Sequence, residues 1–166
     1  MGALYDASMK HIYKDPYDLI KQQDVKGCVV TSGGFDPMHV GHLRCLQESA
    51  IIASAHSLPL VVIVNGDGFL QRKKGFAFMP HEERMEIIAG VRGVDYVVGW
   101  DDGSQTVTGA LGVLHPLIFT KGGDRDSAQN VPEFILCQEI GCHVYFGIGG
   151  GKIQSSSDLV KAVRGG

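Results

Sequence analysis

Apolar residues along this chain fall into short β-branched runs that alternate with stretches of helical spacing. Cys28-Val29-Val30-Thr31 is the first run, ended by Gly33-Gly34, and it predicts a buried strand. From His42 to His56, Leu43, Leu46, Ala50 and Ala53 share one face of a predicted helix. Leu60 to Val64 is a second strand, stopped by Asn65-Gly66-Asp67-Gly68. Pro80 followed by His81-Glu82-Glu83 predicts a helix start, with proline early and acids in the first turn. Tyr96-Val97-Val98, Leu117-Ile118-Phe119 and His143 to Phe146 predict three further strands. Between and after them the pattern predicts helices over Gln105 to Leu114, Val131 to Ile140 and Ser157 to Val163.

Continuous apolar strands alternating with helices predict an α/β fold: a single-domain, Rossmann-like, doubly wound parallel sheet with helices on both faces. Residues 1–26 are polar and broken by Asp15-Pro16. They are expected to form an N-terminal extension, with a short helix after Pro16, ahead of a domain over residues 27–166.

Composition narrows the function. The chain has 166 residues and a formal net charge of -3. Its basic residues cluster only at Arg72-Lys73-Lys74, too weak a footprint for a duplex nucleic-acid binder. No apolar run nears the roughly 20 residues of a membrane span. Cys28, Cys45, Cys137 and Cys142 form no C-x-x-C pair, and no metal-ligand set stands out. With no signal-peptide pattern, a cytoplasmic protein with reduced thiols is expected. Small-molecule chemistry fits best.

Ligands of a doubly wound sheet bind beyond the carboxyl ends of its strands, so the loop after the first strand is the place to look. It reads Ser32-Gly33-Gly34-Phe35-Asp36-Pro37-Met38-His39-Val40-Gly41-His42. The glycines allow close approach of backbone to a phosphate. His39 and His42 project to one side at the mouth of a helix, whose terminal N–H groups and dipole favour an anion. An H-x-x-H alone is usually a pair of surface or core histidines; directly after strand-Gly-Gly it points to a polyphosphate site.

At this loop the chain resembles the cytidylyltransferase-like nucleotidyltransferase superfamily, whose signature G-x-F-D-x-x-H-x-G-H is complete from Gly33 to His42. Asn65-Gly66-Asp67, Arg72-Lys73-Lys74-Gly75, Pro80-His81-Glu82-Glu83-Arg84 and Val94-Asp95-Tyr96-Val97-Val98 follow in the family's order. Lys121-Gly122-Gly123-Asp124 is similar to the K-G-G-D of the heptose-1-phosphate adenylyltransferases, and Ser155-Ser156-Ser157 stands at the family's serine-threonine turn.

The resemblance implies transfer of a nucleoside monophosphate from a nucleoside triphosphate to a small phosphorylated acceptor, with release of pyrophosphate. It implies His39, His42 and Lys74 as catalytic groups. It implies a nucleotide site of Gly33, Gly34, Phe35, His39, His42, Lys121, Gly122, Asp124, Ser155, Ser156 and Ser157. Asp36, Arg72, Lys74 and Arg92 would face the acceptor, with Lys74 reaching in from a mobile loop and Lys152 standing in for an arginine. Mg²⁺ would be bound mainly through nucleotide phosphates. Family members commonly form homodimers. Lys121-Gly122-Gly123-Asp124 favours adenylyl transfer to a sugar 1-phosphate; Arg92 favours cytidylyl transfer to an alcohol phosphate such as glycerol 3-phosphate. A catalytically idle nucleotide-binding module is the third reading, and the intact histidine pair argues against it.

Overall fold

A computed structural model of the chain describes residues 11–122 and 131–150. Six parallel strands form one sheet in the order β1-β4-β3-β2-β5-β6. They are β1 (Ile12–Tyr13), β2 (Val29–Gly33), β3 (Leu60–Asn65), β4 (Tyr96–Trp100), β5 (Ile118–Thr120) and β6 (His143–Tyr145). Among the described residues the helices are α1 (Pro16–Gln22), α2 (Val40–Ala55), α3 (Asp67–Lys74), α4 (His81–Ala89), α5 (Thr108–Leu114) and α6 (Val131–Ile140). All six residues of β3 are buried, as its unbroken apolar run demands of a central strand covered on both faces.

Two cores sandwich the sheet. On one face Val30, Val61, Ile63, Val98 and Phe119 pack with Leu19 of α1, Leu111 and Leu114 of α5 and Cys137 of α6. On the other, Val29, Val62, Val64, Val97 and Ile118 pack with Leu46 and Ala53 of α2 and Met85 and Ile88 of α4. Alternate residues of each strand serve opposite layers, the period-two rule of a pleated sheet. The doubly wound α/β expectation holds.

Two elements depart from the sequence expectation. The stretch up to Lys26, expected as an extension ahead of the core, joins the sheet over its described part: Ile12 and Tyr13 pair with Val97 and Val98, and Leu19 and Val25 are buried. A two-residue edge strand leaves no periodicity to read. Asp15 caps α1 by accepting from the Asp18 N–H at 2.9 Å, with Pro16 in the first turn. Residues 67–74, expected as a mobile basic loop, form helix α3. It buries Phe69 and Leu70 and places Arg72, Lys73 and Lys74 in its last turn, where the helix dipole favours cations. Gly75 ends it in the left-handed region (φ 88°).

β2 has β3 on one side and β5 on the other, so the chain order reverses between β2 and β5. That reversal opens a crevice at the carboxyl ends of the two strands. The loop after β2 and the residues after β5 both lie at this edge.

Candidate active site

His39 is the N-cap of α2 and His42 sits in its first turn. His39 Nδ1 accepts from the Gly41 N–H at 3.1 Å, and His42 Nδ1 accepts from the His39 N–H at 3.2 Å. The rings stack with centroids 3.8 Å apart and planes 17° apart. Two imidazoles therefore do the capping usually done by a hydroxyl and a carboxylate. Because both Nδ1 atoms accept, each neutral ring must carry its proton on Nε2. The arrangement fixes the tautomer, the orientation and the spacing of two donors.

His42 is also held neutral. Burial pushes its pKa down to about 4, and the charges of His39 and Lys74 push in the same direction. The edge of the Phe35 ring, 5.2 Å away between centroids, supplies part of that apolar cover. His42 thus offers a hydrogen-bond donor rather than a standing cation.

The glycines of the loop are required by protein neighbours. A Cβ on Gly34 would sit 2.7 Å from Leu70 Cδ2 of α3, and one on Gly33 would sit 3.0 Å from the Phe35 ring. A Cβ on Gly41 would meet the folded-back His39 ring at 2.9 Å. The glycine between the two histidines is what lets the cap close. This adds a packing reason to the phosphate-approach argument made from sequence.

Asp36 is buried (1% exposed). Its Oδ2 accepts from the Phe78 N–H at 2.7 Å and its Oδ1 from the Met79 N–H at 2.6 Å. Lys74 Nζ lies 3.0 Å from Oδ2 and donates to the Asp36 carbonyl at 2.9 Å. Both carboxylate oxygens are committed to the protein, so Asp36 acts as a clasp between the catalytic loop and the segment joining α3 to α4. Lys74, expected on a mobile loop, stands instead in the last turn of α3, close enough to His42 for its charge to act on that ring. Its ammonium also lies 4.8 Å from the centre of the Phe76 ring.

Arg84, the last residue of the Pro80-to-Arg84 motif, holds the floor of the site. Fully buried on α4, it donates to the Gly34 carbonyl at 2.8 Å, the Asn65 carbonyl at 2.6 Å, the Met79 carbonyl at 2.9 Å and the Asp67 carboxylate at 2.7 Å. One guanidinium ties together the exits of β2 and β3 and the starts of α3 and α4. The sequence signal is a cation four residues before Ile88 on the apolar face of an amphipathic helix.

Lys121 follows β5 at the same edge. Its ammonium pairs with Glu133 of α6 at 3.4 Å and lies 5.4 Å from the centre of the Phe119 ring. Glu133 is buried and its other oxygen accepts from the Val107 N–H at 3.0 Å. Gly122 stands beside the Ile148 carbonyl, 3.6 Å from where a Cβ would be. Beneath the crevice, the Ser49 hydroxyl of α2 is 2.7 Å from that of Thr120, and Thr31 donates to the Thr120 carbonyl at 3.1 Å.

Two predicted acceptor residues lie elsewhere. Arg72 is engaged with the Asp101 carboxylate and donates to the Ser104 carbonyl at 3.1 Å, beyond the end of β4. Arg92 is exposed in the turn that leads into β4, at the amino ends of the strands. The sheet separates it from the loop, so within one chain it does not join the site. Asp124, Lys152 and Ser155 to Ser157 lie outside the described residues. Among the described residues no group of three His, Cys, Asp or Glu side chains could hold a metal ion. No helix among them is long and apolar enough to cross a membrane.

A doubly wound sheet with a glycine loop and fixed donors at its switch point has the layout in which α/β proteins bind their ligands. Residues 30–155 match the model of the cytidylyltransferase-like family, and the chain belongs to that family. The bifunctional protein HldE of Hahella chejuensis is 37% identical over 105 residues, covering 62% of this chain and 21% of that protein. The bifunctional protein HldE of Photobacterium profundum is 30% identical over 159 residues, covering 89% of this chain and 30% of that one. The chain thus spans less than a third of these relatives. Two solved structures share the fold. A lipopolysaccharide core biosynthesis protein from Thermoplasma volcanium has a TM-score of 0.58 at 23% identity, covering 71% of this chain and 91% of that one. A macrolide-efflux protein from Streptococcus pneumoniae has a TM-score of 0.60 at 18% identity, covering 90% of this chain and 56% of that one.

Proposed function

We propose that the chain transfers AMP from ATP to a sugar 1-phosphate, heptose-1-phosphate-like, and releases pyrophosphate. The observation that carries this reading is the reciprocal His39–His42 cap at the β2/β5 switch point. An oxygen of the acceptor phosphate attacks the α-phosphorus, the bond from that phosphorus to the bridging α–β oxygen breaks, and pyrophosphate leaves. The attacking phosphate is already ionised near neutral pH, so no strong base is needed. Charge builds on the phosphoryl oxygens in the transition state, and donors fixed beforehand are the main lever on such a step. The Nε2–H groups of His39 and His42 supply them, with Lys74 adding positive charge beside His42. Lys121 and Gly122 put the nucleotide on the β5 side of the histidines.

Magnesium would arrive on the nucleotide. The loop's one carboxylate, Asp36, has both oxygens occupied by Phe78, Met79 and Lys74, so phosphates and water would hold the ion. The sugar-phosphate branch is supported by Lys121-Gly122 of the K-G-G-D motif and by the HldE relatives. The competing alcohol-phosphate reading rested on Arg92, which sits at the far edge of the sheet.

The test is pyrophosphate release with each of four nucleoside triphosphates against a panel of phosphorylated acceptors. ATP with a sugar 1-phosphate should give the highest kcat/KM. A preference for CTP with glycerol 3-phosphate would overturn the proposal.

A further inference from the structure

We propose that Phe78 is an acceptor-binding residue: an aromatic plate on which the apolar C–H face of a phosphorylated sugar ring stacks. This rests on the sugar-phosphate reading of the same site. Single exposed apolar side chains are ordinary on a protein surface, so the 57% exposure of Phe78 decides nothing alone. Its mounting does. Phe78 and Met79 each donate their N–H to the buried Asp36 carboxylate, and the Met79 carbonyl accepts from the buried Arg84. The backbone under the ring is therefore pinned from two sides by groups that are themselves almost wholly enclosed. A large apolar ring is held out to solvent on a rigid support, which is how binding sites limit the ordering cost of a contact.

The position identifies the substrate. Asp36 Oδ2 receives the Phe78 N–H at 2.7 Å and lies 3.0 Å from Lys74 Nζ. The aromatic residue and the lysine thus share one carboxylate oxygen, and Lys74 is near enough to His42 to depress its pKa. His42, Lys74, Asp36 and the Phe78 backbone are thus linked one to the next, Asp36 joining the loop after β2 to the segment between α3 and α4. Lys121 and Gly122 stand after β5, on the other flank of β2. With the nucleotide on that flank, the second substrate approaches past Phe78. A pyranose has a rim of hydroxyls around an apolar C–H face, which an exposed aromatic ring can cover, while Lys74, on the same carboxylate as the Phe78 backbone, would meet its phosphate. An acyclic alcohol phosphate offers no such face.

The experiment compares the full chain with Phe78→Ala and Phe78→Trp, using pyranose 1-phosphates and glycerol 3-phosphate as acceptors. Phe78→Ala should raise the KM for the sugar 1-phosphate about fivefold to tenfold, the scale of one aromatic contact. The KM for ATP should stay within about twofold, and Phe78→Trp should restore the sugar KM. In saturation-transfer NMR, irradiating aromatic protons should label the sugar ring protons of a pyranose 1-phosphate in the parent and not in Phe78→Ala. Sugar turnover with an unchanged acceptor KM in Phe78→Ala would overturn the Phe78 assignment and leave the proposed function standing. So would equal rises in both KM values, which would mark Phe78 as loop support. Transfer to glycerol 3-phosphate alone, with no NMR labelling of the sugar, would sink both.

Discussion

His42 Nδ1 accepts the backbone N–H of His39 while the two rings stack 3.8 Å apart between centroids, so the two histidines hold one another in place. On the proposed function, the capping side chains are also the transition-state donors. Replacing either should therefore show in two separate measurements. His39→Ala and His42→Ala should each lower kcat at least about a hundredfold, the loss expected for one transition-state donor. Each should also lower folding stability by about 1 kcal/mol through the lost cap. Denaturant melts and saturated turnover in the same variants separate the two effects, and near-normal turnover would remove the histidine from the mechanism.

The titration of His42 provides a test free of substrate. Its folded pKa, about 4, lies below the ordinary value near 6.5. Between those values the unfolded chain binds the proton more readily than the folded one. The His42 contribution to stability is therefore intact above about pH 6.5 and declines as pH falls toward about 4. NMR of the imidazole protons should show the inflection near 4 and, above it, the proton on Nε2. A midpoint near 6.5 in the folded protein would contradict the buried, capped arrangement.

Arg84 should tolerate no replacement. Arg84→Met strands three carbonyls and the Asp67 carboxylate that now accept from it, and the expected loss is about 3 kcal/mol. Arg84→Lys should recover little, because an ammonium lacks the planar fork that reaches several acceptors at once. Chemical denaturation gives the stability and saturated turnover the loop's condition; a fully active, fully stable lysine variant would show that the charge alone suffices.

Lys121 and Glu133 should separate binding from folding. Lys121→Met should weaken use of the nucleotide or sugar phosphate by about 1.5–3 kcal/mol, the range for a hydrogen bond to a charged group. It also leaves the buried Glu133 without its cation, so the melting temperature should fall. Lys121→Met combined with Glu133→Gln should regain stability without regaining substrate use. If the double variant restores both, Lys121 is a structural partner of α6 only.

Much of this protein is legible without coordinates. The β-branched runs of β2, β3 and β4 can bury both faces only inside a covered parallel sheet, so the fold class follows from composition and period. The histidine pair follows from spacing, because positions 39 and 42 share a side at any helix start. Tertiary structure decided the rest. Helix α3 is not legible as a helix because Gly66 precedes it, Gly68 interrupts it and only Phe69 and Leu70 are buried. Gly33 and Gly34 meet Phe35 and Leu70, contacts that a sequence does not display. Arg84 and Glu133 looked like ordinary helix charges; burial and partners from several loops turned them into supports. Arg92 stands just before the Val94-to-Val98 motif, and the direction of β4 carries it to the edge away from the loop. Local pattern determines which element a residue joins, because period and propensity act over a few residues. Which end of the sheet it reaches, and which charge it meets there, depends on crossovers that bring together residues tens of positions apart.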